Sequence, residues 1–212
     1  MRLDVRSGAT ARLLLTGAIL GGFALISASA QTSNWSGPRP EQNMTGDQPG
    51  YVPKEDEEEL PAEFQKQAVF FRTTEAPGTI VVNTRERFLY LVQGNNRAIR
   101  YGIGVGREGF QWGGLKRIEK KGEWPDWTPP PEMIERQPYL PRFMAGGPGN
   151  PMGARAMYIS GTVYRIHGTN QPWTIGSAVS SGCFRLTNPD VSDLYERVPV
   201  GTRVVVLQAP AL

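Results

Sequence analysis

A thiol and an imidazole together can carry acyl transfer at neutral pH, and this chain of 212 residues contains one cysteine and one histidine. Cys183 lies in Ser180-Ser181-Gly182-Cys183-Phe184-Arg185, and His167 lies sixteen residues upstream in Arg165-Ile166-His167-Gly168-Thr169-Asn170. A thiol becomes a nucleophile when it ionises, and a neighbouring imidazole that takes the proton and remains as a cation lowers its pKa. The bland alternative is a buried thiol serving as a small hydrophobe. A structural zinc site takes four ligands, and no Asp or Glu lies between 167 and 183 to complete one. Neither a metal nor a cofactor is expected.

Positioning favours the catalytic reading. His167 ends a run of strand character, Val163-Tyr164-Arg165-Ile166, so its ring should project from a rigid edge at a loop mouth. Cys183 follows a turn of small residues and precedes the best helix signal in the chain, Asn188 to Val198, with Asn188 as cap, Pro189 in the first turn and Val191, Leu194 and Val198 on one face. Glycine before the nucleophile lets the backbone approach a substrate closely, and the amides of Gly182 and Cys183 are candidates to point at a developing oxyanion.

The supporting elements read as strands. QAVFFRT, GTIVVNT, RFLYLVQ, RAIRYGIGVG, ARAMYIS, VYRIHGT and RVVVLQA are short β-branched and aromatic runs separated by turn residues such as Gly94-Asn95-Asn96. The expected architecture is mainly β, a sandwich or part-closed barrel with one or two short helices. The segment 123–153 is a long Pro-, Gly- and Trp-rich loop, either a functional lid or a rigid cover over one end of the core. Gly-Ile-Gly-Val-Gly at 102–106 is not a dinucleotide fingerprint, because Arg107 stands where the last glycine should be and no helix signal follows.

Composition divides the rest. Arg2, Arg6 and Arg12 precede an apolar run from Leu13 to Ile26, and Ala28-Ser29-Ala30 offers a cleavage site. This is a secretory signal peptide over 1–30, cleaved after Ala30, with an uncleaved anchor as the alternative. The run is shorter than a membrane span, which needs about 20 residues, and no later segment approaches one, so no transmembrane helix is expected after cleavage. Export places a lone cysteine in an oxidising compartment without a partner in its own chain. Residues 31–65 carry eight acidic residues against Arg39 and Lys54, net −6, with few aliphatics, and read as a disordered acidic linker. Two glycosylation sequons, at Asn34 and Asn43, fall in it. Residues 66–212 carry net +7 and are long enough for one core. That balance suits anionic envelope partners such as the carboxylates of cell-wall peptides; nucleic acid is not expected after export.

The run Ile166-His167-Gly168-Thr169-Asn170, followed by IGSAVSSGCFRLTNPDVSDLYERVPVGTRVVVL, resembles the signature half of the L,D-transpeptidase (YkuD) catalytic domain in its Gram-negative branch. GVGREGFQWGG, KKGEWPDWTPPPEMI and GGPGNPMGARAMYI resemble the preceding part, so the likeness covers roughly 78–208. The family's usual pattern has histidine immediately before the Gly-Cys pair, where this chain has Ser181. The resemblance implies a periplasmic enzyme acting on peptidoglycan. Cys183 would attack the third-position diaminopimelate carbonyl of a tetrapeptide stem, release D-alanine and hold the donor as a thioester. His167 would move the protons, its other ring nitrogen oriented by the carbonyl of Gly168. The acceptor would be an amine on a neighbouring stem, or on an outer-membrane protein tethered to the wall, or water in a carboxypeptidase. A non-catalytic wall-binding module on the same fold is the reading from another class, and carbapenem acylation is implied for the enzyme. Ser180, Ser181, Arg185 and Trp173 are expected to face substrate. Arg185 either grips a carboxylate through both guanidinium nitrogens or ties the loop to the helix; Trp173 either stacks on the stem or fills the loop.

Overall fold

The computed structural model describes residues 48–54 and 59–208. The signal segment with its cleavage site, both sequons and much of the acidic stretch lie outside the described residues.

Alternating apolar residues build a sheet buried on both faces. The strands are β1 (Gln67–Phe70), β2 (Ile80–Asn83), β3 (Phe88–Gly94), β4 (Arg97–Gly102), β5 (Val105–Gly106), β6 (Gly114–Glu123), β7 (Arg155–Ile159), β8 (Arg165–His167), β9 (Ala178–Ser180), β10 (Phe184–Arg185) and β11 (Arg203–Leu207), with helices α1 (Pro131–Arg136) and α2 (Asn188–Arg197). Among the described residues nine strands form one sheet in the order β1-β4-β3-β2-β11-β6-β7-β8-β10, and β5 pairs with β9. The architecture is mainly β with two short helices, as expected, and the large sheet is left open rather than closed into a barrel.

Period-two alternation assigns the two faces. Ile80 and Val82 of β2, Leu89 and Leu91 of β3, and Val204 and Val206 of β11 join Ile166 and Phe184 in the main core, with Val191 and Leu194 of α2 and Val198 just past its end. The opposite face buries Val81, Tyr90, Val92 and Ala98 in a smaller cluster. The β3–β4 hairpin turns through Asn95 and Asn96, both with positive φ, as a primed turn requires.

Two local readings change. β6 is the longest strand yet carries only Ile118 fully buried. Its other residues are exposed or half-buried, and backbone pairing to β11 and β7 holds it in place, so it has no apolar pattern to read. Helix α2 is capped by Thr187, whose hydroxyl accepts from Asp190 N at 3.3 Å. Asn188, expected as the cap, is the first helical residue, and its Oδ1 instead accepts from Ala154 N at 2.9 Å.

The segment 123–153 folds around its own small core. Trp127, Met133, Leu140 and Met152 pack together with Ala156 of β7. Pro131 opens α1 at its first position, where a missing N–H costs nothing. Trp127 and Met144 exchange two backbone hydrogen bonds of 2.8 Å, which close the segment on itself. Gly146 sits directly on the Trp124 carbonyl, with no room for a side chain.

Candidate active site

The parallel pairing of β8 with β10 brings the site together. Phe184 lies beside Ile166 and Arg185 beside His167. Ile166 and Phe184 are fully buried in the main core, so alternation turns their neighbours to the opposite face. Continued by one residue, the register sets Cys183 beside Arg165. The face then holds Arg165 and His167 on one strand and Cys183 and Arg185 on the other. Strand spacing near 4.8 Å and a rise near 3.3 Å per residue put the Cα atoms of Cys183 and His167 roughly 8 Å apart, a span their side chains can bridge. Cys183 is a free thiol with partial solvent access, and His167 is 4% exposed.

The turn that leads into Cys183 is stapled from several sides. Ser180 Oγ donates to Cys183 O at 2.6 Å and accepts from Gly182 N at 3.2 Å. The buried Ser180, expected to face substrate, has its hydroxyl engaged by the backbone and acts as a clamp within the turn. The same bond occupies the Gly182 amide, which was expected at the oxyanion and is instead engaged inside the turn. Gly182 has φ +105° and packs against the ring of Tyr164, a place only glycine fills. Its carbonyl accepts from Trp112 Nε1 at 2.8 Å, and Trp112 stacks on Tyr164 with ring centroids 5.1 Å apart. Ser181 is half-buried.

Burial dominates the electrostatics. It lowers the pKa of His167 to about 3, helped by the charges of Arg185 and Arg165, while backbone groups of Gly168 and Met152 pull the other way. Its Nδ1 is buried without a hydrogen-bond partner of regular geometry; the Gly168 backbone acts on the ring from nearby. Burial pushes the Cys183 thiol up, and Arg165 opposes this through its charge, its backbone and its side chain, with Arg185 adding to it. Burial thus pushes both groups toward their uncharged forms.

Arg185 is 7% exposed and exchanges two backbone hydrogen bonds of 2.9 Å with Gly104. Its charge bears on His167 and Cys183. Trp173 is half-buried, its ring edge-on to Tyr51 at 5.1 Å, so its partner here is the chain itself. Tyr51 belongs to a strap, residues 48–54, in which Gly50 N donates to Gly149 O at 2.8 Å. Asn170, fully buried three residues after His167, ties this strap down: its Nδ2 lies 2.7 Å from Gln48 O, 3.1 Å from Tyr51 O and 3.2 Å from Gly149 O. On the other flank, Arg107 and Arg136 set guanidinium groups 4.7 and 5.0 Å from the Phe110 ring centre, joining α1 to the β5–β6 connection. A crevice of about 350 Å³ lined by Val52, Pro53, Trp124 and Pro189 touches none of these site residues. Among the described residues no cluster of acidic, His and Cys side chains could hold a metal ion.

Sequence reasoning singled out Cys183, His167, Gly168 and Arg185, which the fold gathers in one place. It passed over Arg165, Trp112, Tyr164 and Asn170. Arg165 was within reach, since period two applied to Arg165-Ile166-His167 puts it on the histidine's face. Trp112 and Tyr164 act through long-range packing that carries no local signal.

The family model for the L,D-transpeptidase catalytic domain, YkuD, matches residues 77–206. The probable L,D-transpeptidase ErfK/SrfK of Escherichia coli is 43% identical over 140 residues, covering 62% of this chain and 44% of that protein. The probable L,D-transpeptidase YbiS of the same organism is 43% identical over 141 residues, covering 62% and 45%. A solved chain from Brucella melitensis, described as a probable carnitine operon oxidoreductase caia, is 51% identical over 73% of this chain and 100% of its own, with a TM-score of 0.47. The chain therefore spans less than half the length of the two Escherichia coli relatives.

Proposed function

From the premise that the chain belongs to the L,D-transpeptidase (YkuD) catalytic domain family, we propose that it is a peptidoglycan L,D-transpeptidase whose nucleophile is Cys183. The observation that carries this reading is the β8–β10 register, which sets the only cysteine and the only histidine on one face with two arginines. Cys183 Sγ attacks the third-position diaminopimelate carbonyl of a tetrapeptide stem. The thiol proton passes to His167, a carbon–sulfur bond forms, and the carbonyl becomes an oxyanion. Collapse breaks the carbon–nitrogen bond, and D-alanine leaves with the proton that His167 returns to its amine. The acceptor amine then gives a proton to His167 and attacks the thioester, which frees the thiol. The lowered histidine pKa keeps the imidazole neutral, with an unprotonated ring nitrogen to receive the thiol proton, and makes it a weaker base than free histidine.

With the Gly182 amide engaged by Ser180, the Cys183 amide is assigned to the oxyanion. Arg185 is proposed to bind a carboxylate of the stem, with Ser181 as a further substrate contact. In this reading residues 66–212 are the catalytic domain, 1–30 direct export to the periplasm with cleavage after Ala30, and the acceptor is an amine on a neighbouring stem. Its net charge of +7 over 66–212 suits an acidic wall peptide.

The test is incubation of the chain with disaccharide tetrapeptides and mass spectrometry of the products. Cross-linked dimer with loss of D-alanine is expected. Release of D-alanine without dimer would assign water as acceptor, and transfer only to an added outer-membrane protein would assign a tethering enzyme. A folded protein that consumes no donor would overturn the proposal.

A further inference from the structure

The strand registers that assemble the site also lay down a row of cations leading away from it. Tyr158 of β7 pairs with Arg165 of β8 on one side and with Lys120 of β6 on the other. With Cys183 set beside Arg165, a single row runs Cys183–Arg165–Tyr158–Lys120 from the start of β10 across β8, β7 and β6. Residues paired across a sheet point to one face, so the row lies on the face that carries His167 and Arg185. Strand spacing near 4.8 Å makes it roughly 14 Å long, the reach of about four residues of extended chain.

The side chains follow the register. The guanidinium carbon of Arg165 and Nζ of Lys120 each lie 5.4 Å from the centre of the Tyr158 ring. The neighbouring row, Gly122–Ala156–His167–Arg185, is closed off at Ala156, which is fully buried among Trp127, Met133, Leu140 and Met152. Tyr158 packs on the edge of that small core. The cationic row stays accessible beside it: Lys120 is exposed, and Tyr158, Arg165 and Cys183 are half-buried.

Charge makes this row more than a packing seam. Two cations share one ring, and among the described residues neither Arg165 nor Lys120 makes an ion pair. The acidic residues of β6 do not answer them: Glu123 pairs with Arg155 at 3.5 Å, and Glu119 is exposed at the irregularity in the strand. Cations gathered without a counter-charge repel one another, and an anion laid along the row relieves this. A carboxylate is the matching group, because a guanidinium grips it through two N–H groups and an ammonium meets it as a point charge. The Tyr158 ring between them offers apolar contact to the chain that carries it.

We propose that Arg165, Tyr158 and Lys120 form a subsite that seats the carboxylates of an acidic stem peptide and leads it across the sheet to Cys183. This deepens the transpeptidase reading and rests on its choice of substrate. Two stems carry the required chemistry, the donor that acylates Cys183 and the acceptor that relieves it. Arg165 meets the bound stem nearest the thiol, and Lys120 meets it roughly 14 Å away.

The test uses the full chain and turns on Lys120, which is exposed and whose replacement should leave the circular dichroism native. Donor KM is read from D-alanine release by a tetrapeptide stem. Acceptor KM is read from cross-linking at saturating donor, with a tripeptide stem, which has no D-alanine to release, as the varied acceptor. In Lys120→Gln one of these constants should rise roughly three- to fivefold at unchanged kcat, and in Lys120→Glu roughly tenfold or more. Lys120→Arg should stay near wild type, and Arg165→Gln should raise the same constant. A rise in donor KM assigns the row to the donor stem, and a rise confined to acceptor KM assigns it to the acceptor. A carbapenem is too small to span from the sulfur to Lys120, so its acylation rate should be the same in every Lys120 variant. A stem with its carboxylates amidated should lose its sensitivity to Lys120. The proposal is overturned if both constants stay within about twofold of wild type in Lys120→Glu, or if the amidated stem responds as strongly as the free acid. Should wild type release no D-alanine, calorimetry of the tetrapeptide with Cys183→Ala decides. Binding that Lys120→Gln weakens in that background would sink the transpeptidase reading and leave the subsite standing, and no binding would remove both.

Discussion

Holding an uncharged histidine inside a protein ties stability to pH, and the size of the effect follows from the structure. His167 is 4% exposed and its pKa falls from 6.5 to about 3 on folding. The unfolded chain therefore binds a proton below about pH 6.5 that the folded chain refuses. Stability from this group is fully present above the unfolded value and is lost as pH falls toward the folded one. At about 1.4 kcal/mol per pH unit, wild type should lose roughly 3 kcal/mol between pH 6.5 and pH 4 through His167 alone. The comparison is His167→Asn, which has nothing to protonate. The packing change moves its absolute stability, but its slope against pH should be shallower by that amount. Urea unfolding at half-unit steps across the window, followed by circular dichroism, measures both slopes. Asp190, whose pKa burial raises, titrates in both proteins and cancels in the difference. Asp193, held down to about 2 mainly by its hydrogen bonds from Arg197, loses its contribution as pH falls below the window. Parallel curves for the two proteins from pH 6.5 to pH 4 would refute the claim that His167 is folded in as the neutral base.

Other substitutions probe the supports. Trp112→Phe removes the 2.8 Å hydrogen bond to Gly182 O; a loss of about 1 kcal/mol in unfolding free energy and a fall in acylation rate at unchanged donor KM are expected, read by urea unfolding and steady-state kinetics. Gly182→Ala drives a methyl group into Tyr164 at φ +105°; it should abolish D-alanine release while circular dichroism stays native, because the strain is confined to the turn. Asn170→Ala strips one donor from three carbonyls; limited proteolysis should then cut within residues 48–54 several times faster, with a cost of about 1–3 kcal/mol for the buried groups left unpaired.

Much of the fold and site was legible, and the exceptions share a physical character. The strands around Val81, Leu89, Met157 and Val205 announce themselves because burial demands β-branched and apolar runs. His167 and Cys183 stand out because their chemistry is rare in the chain. What stayed hidden is made by backbone groups or by contacts distant in sequence. Ser180 reads as a residue facing substrate, and nothing in its local sequence announces the bond from its hydroxyl to Cys183 O. The Thr187 cap and the Asn188 link to Ala154 compete for adjacent side chains, and only the fold decides between them. Residues 48–54 offer composition little beyond Tyr51 and Val52, because their attachments run through carbonyl oxygens. The core of 123–153 draws Trp127, Met133, Leu140 and Met152 from irregular spacings, and prolines between them mask any period.

The most direct measurement is the intact mass of the chain after brief exposure to a tetrapeptide donor or a carbapenem, taken for wild type and for Cys183→Ala. A single covalent adduct on wild type, mapped to Cys183 and missing from the variant, is expected. Folded wild type without an adduct, or a Cys183→Ala variant that still releases D-alanine, would contradict the account.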